Sequence, residues 1–245
     1  MPDDRFTLRV HFTPEDLART RVGRVNPMAE TVGGLLALRH RRDDPFDWWR
    51  RRAHERLTPR VRSLGPIFPT AGLYVDLLSG LGEPTGFEQA LDGIRRINPR
   101  TINAEVRWVM DRPRSVWVRD LAEAEPVALE HLADALAEFH HLTVAPYWGR
   151  MRAALEADRA QRASHFLDGG VEHMLANLGP FARWRPPVLE VASPRDTDVH
   201  LWGHGLTLVP TVLYPFPEVM APADLPYQED PRYLLVYPAV RDVPA

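Results

Sequence analysis

The sequence of 245 residues contains no cysteine. This absence excludes disulfide bonds, thiolate zinc sites, iron–sulfur clusters and cysteine nucleophiles, so any chemistry must use oxygen and nitrogen groups. Lysine is absent as well, because all 30 basic residues are arginine. Schiff-base chemistry and phosphate binding by a P-loop lysine are therefore excluded too.

Long apolar runs are also missing. No stretch approaches the roughly 20 apolar residues of a membrane span, and the N-terminal residues carry acids where a signal peptide carries positive charge. We therefore expect a cytoplasmic protein without a membrane partner. The net charge of -3 gives no basic excess for nucleic acid. Residues 39–56 form one basic run with two tryptophans, but interspersed acids favour a solvated helix face over base stacking.

Hydrophobic periodicity predicts both helices and strands. Alternation over residues 6–13 predicts a strand, and Thr13 followed by Pro14 predicts the start of a helix. Apolar residues three and four apart predict helices over 27–42, 46–57, 87–97, 104–110 and 126–143. Beyond residue 179, β-branched and aromatic runs predict strands, including a hairpin with its tip at 203–205.

These patterns together predict an α+β fold. We expect a single ligand-binding domain over residues 1–245, with a mostly helical body at about 13–178. A small C-terminal antiparallel sheet at about 183–240 is expected to be joined by the N-terminal strand.

The stretch HHLTVAPYW, residues 140–148, contains the main candidate site. Pro146 is expected to break the helix and to push Ala145 away from helical angles. The break would point several rings at one space, which suits a pocket for a mostly apolar ligand, with ordinary core and corner packing as the alternative. The candidate ligand-binding residues are His140, His141, Tyr147, Trp148, Met151 and Trp49.

Two other interpretations of this stretch involve its histidines. Neighbouring helical residues point about 100° apart, so His140 and His141 cannot chelate one ion side by side, and we expect no metal site. As an acid/base set, either histidine could be a base, with Asp168 or Glu190 as its partner and Tyr147 as a proton donor.

Six phrases of the sequence carry a family resemblance. They are, in order, LRVHFTPEDLARTRV, APYWGRMRAALEADRAQRA, LDGGVEHMLANL, RWRPPVLEV, HLWGHGLTLVP and LLVYPAV. Their order and spacing resemble the N-terminal regulatory region of actinobacterial-type ArsR-like transcriptional regulators. The resemblance implies a small-molecule sensor, followed in the family by a winged helix-turn-helix that reads DNA. The chain ends where that module would begin, so DNA binding is expected only through a missing or separate winged-helix module.

We therefore predict a small-molecule-sensing regulatory domain that needs no cofactor and binds an apolar or aromatic ligand. The alternative is a stand-alone enzyme of cyclase or isomerase type built on the same scaffold. The sequence has no nucleophile elbow, no HExxH and no phosphate-binding glycine loop, which favours binding over catalysis. Because the apolar faces are needed for the domain's own core, we expect a monomer or weak homodimer.

Overall fold

The computed structural model describes residues 6–39, 46–69, 73–82, 84–110, 113, 115–193, 196–214, 216–221, 223 and 231–239. The α-helices are α1 Pro14–Arg19, α2 Pro27–Ala37, α3 Asp47–Arg56, α4 Pro59–Arg62, α5 Phe87–Arg95, α6 Pro99–Val109, α7 Val116–Ala122, α8 Pro126–Phe139 and α9 Trp148–Ala176. A π-helical turn at His140–Val144 and a 3-10 turn at Ala145–Tyr147 join α8 to α9, and a further 3-10 turn lies at Ser79–Leu81. The strands are β1 Phe6–His11, β2 Arg21–Val22, β3 Ala182–Arg185, β4 Val188–Ala192, β5 Thr197–His200, β6 Leu206–Thr211, β7 Glu218–Met220 and β8 Tyr233–Pro238.

Several helices begin where a capping side chain precedes a proline. Thr13, Asn26, Thr58 and Asn98 each accept a backbone N–H from the first turn, and proline follows each of them. The cap satisfies a donor that the helix leaves unpaired, and proline has no N–H to leave unpaired at that position. The predicted start of α1 is confirmed. α4 and α7 are too short to produce a helical period, and the sequence pattern does not predict them.

The strands form two four-stranded sheets. The outer sheet has the order β3-β4-β1-β5, with β1 parallel to β5 and antiparallel to β4. The central sheet has the order β2-β6-β8-β7, with β6 parallel to both β2 and β8 and with β7 antiparallel to β8.

The central sheet is buried on both faces. Along β8, Leu234 and Val236 belong to the core shared with the helical body. Leu235 and Tyr237 alternate with them and belong to a second core shared with the outer sheet and the end of α9. This alternation follows from the strand period of two, so the molecule has three layers with the central sheet in the middle.

The predicted α+β class is confirmed, but the sheet arrangement differs from the prediction. There are two mixed sheets instead of one small C-terminal antiparallel sheet, and the N-terminal strand lies inside the outer sheet. The predicted hairpin at 203–205 is wrong as well, because β5 and β6 belong to different sheets. Glycine and aspartate punctuation marks turns, but it does not determine which strands pair across them.

The chain passes from the outer sheet to the central sheet between β5 and β6, beside α1. Hydrogen bonds to side chains at α1 fix this crossing segment. Gly205 donates its N–H to Asp16 Oδ1 at 3.0 Å, and Leu206 donates to Thr20 Oγ1 at 3.2 Å. The other oxygen of Asp16 accepts from the N–H and the hydroxyl of Thr13. Gly205 has a φ of +74°, and a Cβ there would lie 2.7 Å from Arg19. A turn read from the sequence as a hairpin tip is therefore a crossing anchored by one buried carboxylate.

The corner between α8 and α9 also differs from the prediction. Pro146 does interrupt the helix, but Ala145 keeps helical angles, with φ -53° and ψ -38°. The distortion lies one turn earlier, where Ala145 donates its N–H to His140 in a π-type bond. A wider turn before a proline relieves the clash of its ring with the carbonyl four residues back.

The residues FLDGG at 166–170 predict the end of the helix that follows Pro146, and this prediction is confirmed. Gly169 and Gly170 have non-helical angles, with φ of -159° and +74°, and a short helical segment continues from there to Ala176. Among the residues the structure describes, no helix is both long enough and apolar enough to cross a bilayer.

Asp16→Ala should reduce the free energy of unfolding by about 3 kcal/mol, because it leaves buried N–H donors of the α1 cap and the crossing without an acceptor. The matched control is Glu15→Ala. Glu15 is the exposed neighbour whose ion pair with Arg19 at 2.9 Å is solvated, so a change within about 0.5 kcal/mol is expected. Urea unfolding of both variants measures the difference. Equal losses would show that Asp16 does not hold the crossing.

Candidate functional site

A narrow cavity, here called the aromatic slot, lies where the start of α3 meets the corner between α8 and α9. Its lining residues are Phe46, Trp48, Trp49, Tyr147, Arg150, Met151 and Leu213. They come from the start of α3, from the 3-10 turn and first turn of α9, and from the chain after β6. The walls are therefore largely aromatic.

The helix corner itself explains why α3 docks there. Pro146 has no N–H to donate to the carbonyl of Leu142, one helical turn back. Arg56 of α3 donates to that carbonyl at 3.1 Å, and Trp49 Nε1 donates to the next one, that of Thr143, at 2.8 Å. The Thr143 carbonyl is buried and needs such a partner, whereas the contact of Arg56 with Leu142 is exposed. The two contacts bring the tryptophans of α3 against the corner.

The base of the slot is held by a buried carboxylate. Glu30 of α2 accepts the N–H of Val212 at 2.7 Å and of Leu213 at 2.9 Å, which fixes Leu213 under the rings. Gly34, one turn further along α2, permits this close packing, since a Cβ there would lie 3.1 Å from the Trp49 ring.

The polar groups of the slot that lack partners are all hydrogen-bond donors. Trp48 Nε1 is buried and has no hydrogen-bond partner among the described residues. Arg150 is exposed and its guanidinium makes no ion pair within the described part of the chain. Tyr147 packs edge-on against Trp48, with ring centroids 5.1 Å apart, and its hydroxyl accepts from Arg52 at 3.5 Å.

The slot is narrow in this conformation. About 300 Å³ of space lies between its walls, and part of it is open to solvent. The cavity volume that remains inside the walls is only about 10 Å³. That is room for roughly one water molecule. A flat ring can enter only if the walls move apart.

The structure brings together only part of the predicted site. Trp49, Tyr147 and Met151 line the slot. His141 is exposed, and Trp148 is half-buried against the helical core; neither lines the slot. His140 lies on the opposite side of the turn, toward α2 and α5.

His140 is engaged in a structural contact. Its Nδ1 lies 2.9 Å from Thr31 Oγ1, whose single proton goes to the carbonyl of Pro27, so the imidazole Nδ1–H donates to Thr31. The ring stacks on Phe87 at 3.8 Å. Burial, together with the charge of His141, lowers the pKa of His140 to about 4. At neutral pH the ring is therefore uncharged.

Sequence reasoning did not select Trp48, Arg150 or Leu213. Trp48 could have been found, because an adjacent tryptophan pair on one helix lets one ring be buried and leaves the other to form a wall. Leu213 depends on the Glu30 contact across 183 residues of chain, which no local pattern indicates.

The groups proposed for acid/base chemistry each contact different neighbours. Asp168 accepts from Ser164 on its own helix, and Glu190 lies beside Arg183 and Arg185 on the outer sheet. Among the described residues, no group of three or more metal-ligating side chains is placed to hold an ion.

A larger and more polar cleft lies at the starts of β2, β6 and β8. It encloses about 1110 Å³, much of it open to solvent, and its lining includes Arg19, Arg21, Arg232 and His204. Arg19 pairs with Glu15, and the other three also have interaction partners. These four basic residues are therefore engaged, whereas Arg150 of the aromatic slot makes no ion pair among the described residues.

Comparison with protein-family models, with curated proteins and with solved structures found no match to this chain.

Glu30, buried under the slot, and His140, half-buried on the opposite side of the turn, should give opposite pH dependences. Burial raises the pKa of Glu30 from 4.5 to about 7 despite its two backbone donors. The stability that Glu30 contributes is therefore present below about pH 4.5 and lost as pH rises through 7, by about 3 kcal/mol in total. His140 has its pKa lowered from 6.5 to about 4, so its contribution is present above pH 6.5 and lost as pH falls through 4.

Glu30→Gln should remove the first dependence. Its free energy of unfolding relative to wild type should rise by about 3 kcal/mol between pH 4.5 and 7. His140→Phe should behave in the opposite way, with relative stability falling as pH rises from 4 to 6.5. Urea unfolding at half-unit pH intervals measures both. Parallel pH profiles for wild type and Glu30→Gln would contradict the assignment of a neutral buried carboxyl group.

Proposed function

We propose that this chain is a small-molecule-sensing regulatory domain, similar to the effector region of ArsR-like regulators, and that the aromatic slot receives the ligand. The observation that carries the proposal is the buried Nε1 of Trp48, a residue that lines the slot, because this donor has no partner among the described residues. An unpaired buried donor lowers stability by about 1 to 3 kcal/mol. A ligand acceptor that bonds to it recovers that free energy on binding.

The corner gives the ligand a route to a conformational response. Because the slot is narrow, a ligand must displace part of its lining, which includes Trp49. Trp49 is bonded to the carbonyl of Thr143 in the π turn, and π-helical turns are often found at functional sites. A ligand that moves Trp49 takes the donor away from this carbonyl and so changes the hydrogen bonding of the turn. Such a coupled change is what a sensor requires.

Operator recognition is assigned to another module. In the proposal the domain acts on DNA only through a winged helix supplied by a further segment or by a partner protein. The sensing site and the DNA-binding element would then be coupled through the end of α8 and the start of α9.

The test uses quinoline, a flat probe that is neutral at pH 7.5, offers one ring-nitrogen acceptor to the Trp48 Nε1–H and has no charge for arginine to bind. Calorimetry should detect binding to the wild-type chain, and hydrogen exchange of the amides at 140–147 should change on saturation. Trp48→Ala should abolish binding. Trp49→Phe should bind but lose the exchange response, because it keeps a ring and removes the bond to Thr143.

Trp148→Phe is the matched control, since Trp148 does not line the slot, and it should keep both binding and response. Quinoline binding that survives in Trp48→Ala would place the site elsewhere. Binding to the slot without any change at 140–147 would leave a binding protein but not a sensor.

A further inference from the structure

The entrance of the aromatic slot carries positive charge. Arg150 lines the slot from the first turn of α9, is exposed, and makes no ion pair within the described residues. Arg52 of α3 reaches the hydroxyl of Tyr147 from its other side. Of these two arginines, Arg150 lines the slot and makes no hydrogen bond or ion pair among the described residues, whereas Arg52 does not line it.

The acid next to Trp48 in the chain does not neutralise this charge. Asp47 pairs with Arg51 at 2.9 Å and with Arg50 at 3.4 Å. No described residue lining the slot carries a carboxylate. An anion at the entrance therefore meets an uncommitted arginine and no lining carboxylate to repel it.

The interior of the slot favours a flat apolar group. Its walls are the rings of Phe46, Trp48, Trp49 and Tyr147, with Met151 and Leu213. Aromatic walls favour a flat apolar body stacked or edge-on against them. The unpartnered Nε1 of Trp48 adds one donor inside, so the complementary molecule also offers an acceptor.

We propose that the ligand of the slot is an aromatic or similarly flat monocarboxylic acid in its ionised form. The ring packs between Trp48, Tyr147 and Trp49, the carboxylate pairs with Arg150 at the entrance, and an oxygen of the molecule accepts the Trp48 Nε1–H. Arginine suits this role because its planar fork matches a carboxylate. The inference rests on the proposed function, since it specifies what the same slot binds.

The probes are phenylacetate and its neutral amide, phenylacetamide, which have the same ring and nearly the same shape. Calorimetry at pH 7.5 on the full chain should give about tenfold tighter binding of the acid, the size expected when a neutral contact is replaced by a charge-assisted one. Arg150→Gln should bring the affinity for the acid down to that for the amide and leave the amide unchanged. Added salt should weaken the binding of the acid more than the binding of the amide.

Arg152→Gln is the matched control. Arg152 is also exposed on α9 but does not line the slot, so this variant removes the same formal charge at a distance and should keep the tenfold preference. Trp48→Phe should weaken the binding of the acid and of the amide alike, by about five- to tenfold. The substitution removes the indole N–H that both probes accept from and keeps an aromatic ring.

Equal affinity of the two probes for wild type would overturn the inference, as would loss of the preference in both arginine variants. Failure of both probes to bind, with quinoline still binding and changing exchange at 140–147, would overturn the inference of a carboxylic acid ligand and leave the sensor proposal standing. If quinoline binding also fails, both proposals fall.

Discussion

A proline without an N–H group determines how the corner between α8 and α9 is built. Pro146 cannot complete the helical turn before it, so the chain widens into a π turn and leaves carbonyl groups that need donors. Side chains of α3 donate to the carbonyls of Leu142 and Thr143. The same contacts place Trp48 and Trp49 beside Tyr147. The aromatic slot therefore follows from hydrogen-bond satisfaction at a broken helix.

The central sheet holds this corner in place from the other side. Its strands are buried on both faces, so the chain leaving β6 must pass directly beneath the helical body. There the backbone N–H groups of Val212 and Leu213 need an acceptor, and Glu30 supplies both of its oxygens. Asp16 does the same at the crossing between the sheets. Each carboxylate is buried because it satisfies backbone donors that the three-layer arrangement takes out of water.

Local signals in the sequence predicted local structure well. Thr13 with Pro14 determines a helix start through groups within one turn of it, and Gly169 with Gly170 ends a helix for the same kind of reason. The sheet pairing could not be predicted in this way. Whether β6 pairs with β5 or with β2 and β8 depends on which faces find an apolar partner, and that is a tertiary property. The site likewise has a local part and a tertiary part. A pocket at the proline corner was expected from the local sequence, but Leu213 reaches it only through its contact with Glu30.

The central claim is that a ligand occupies the aromatic slot through Trp48 and alters the corner through Trp49. The two indole N–H groups report on this separately by NMR, because only that of Trp49 has a hydrogen-bond partner within the described residues. On addition of phenylacetate, the Trp48 Nε1 proton should move downfield as it gains a hydrogen bond, and the Trp49 Nε1 proton should shift as its bond to Thr143 changes. Trp48→Phe assigns the first resonance. If both stay fixed while the exposed indoles of Trp108 and Trp202 shift instead, the ligand binds at the surface and the account of the slot is wrong.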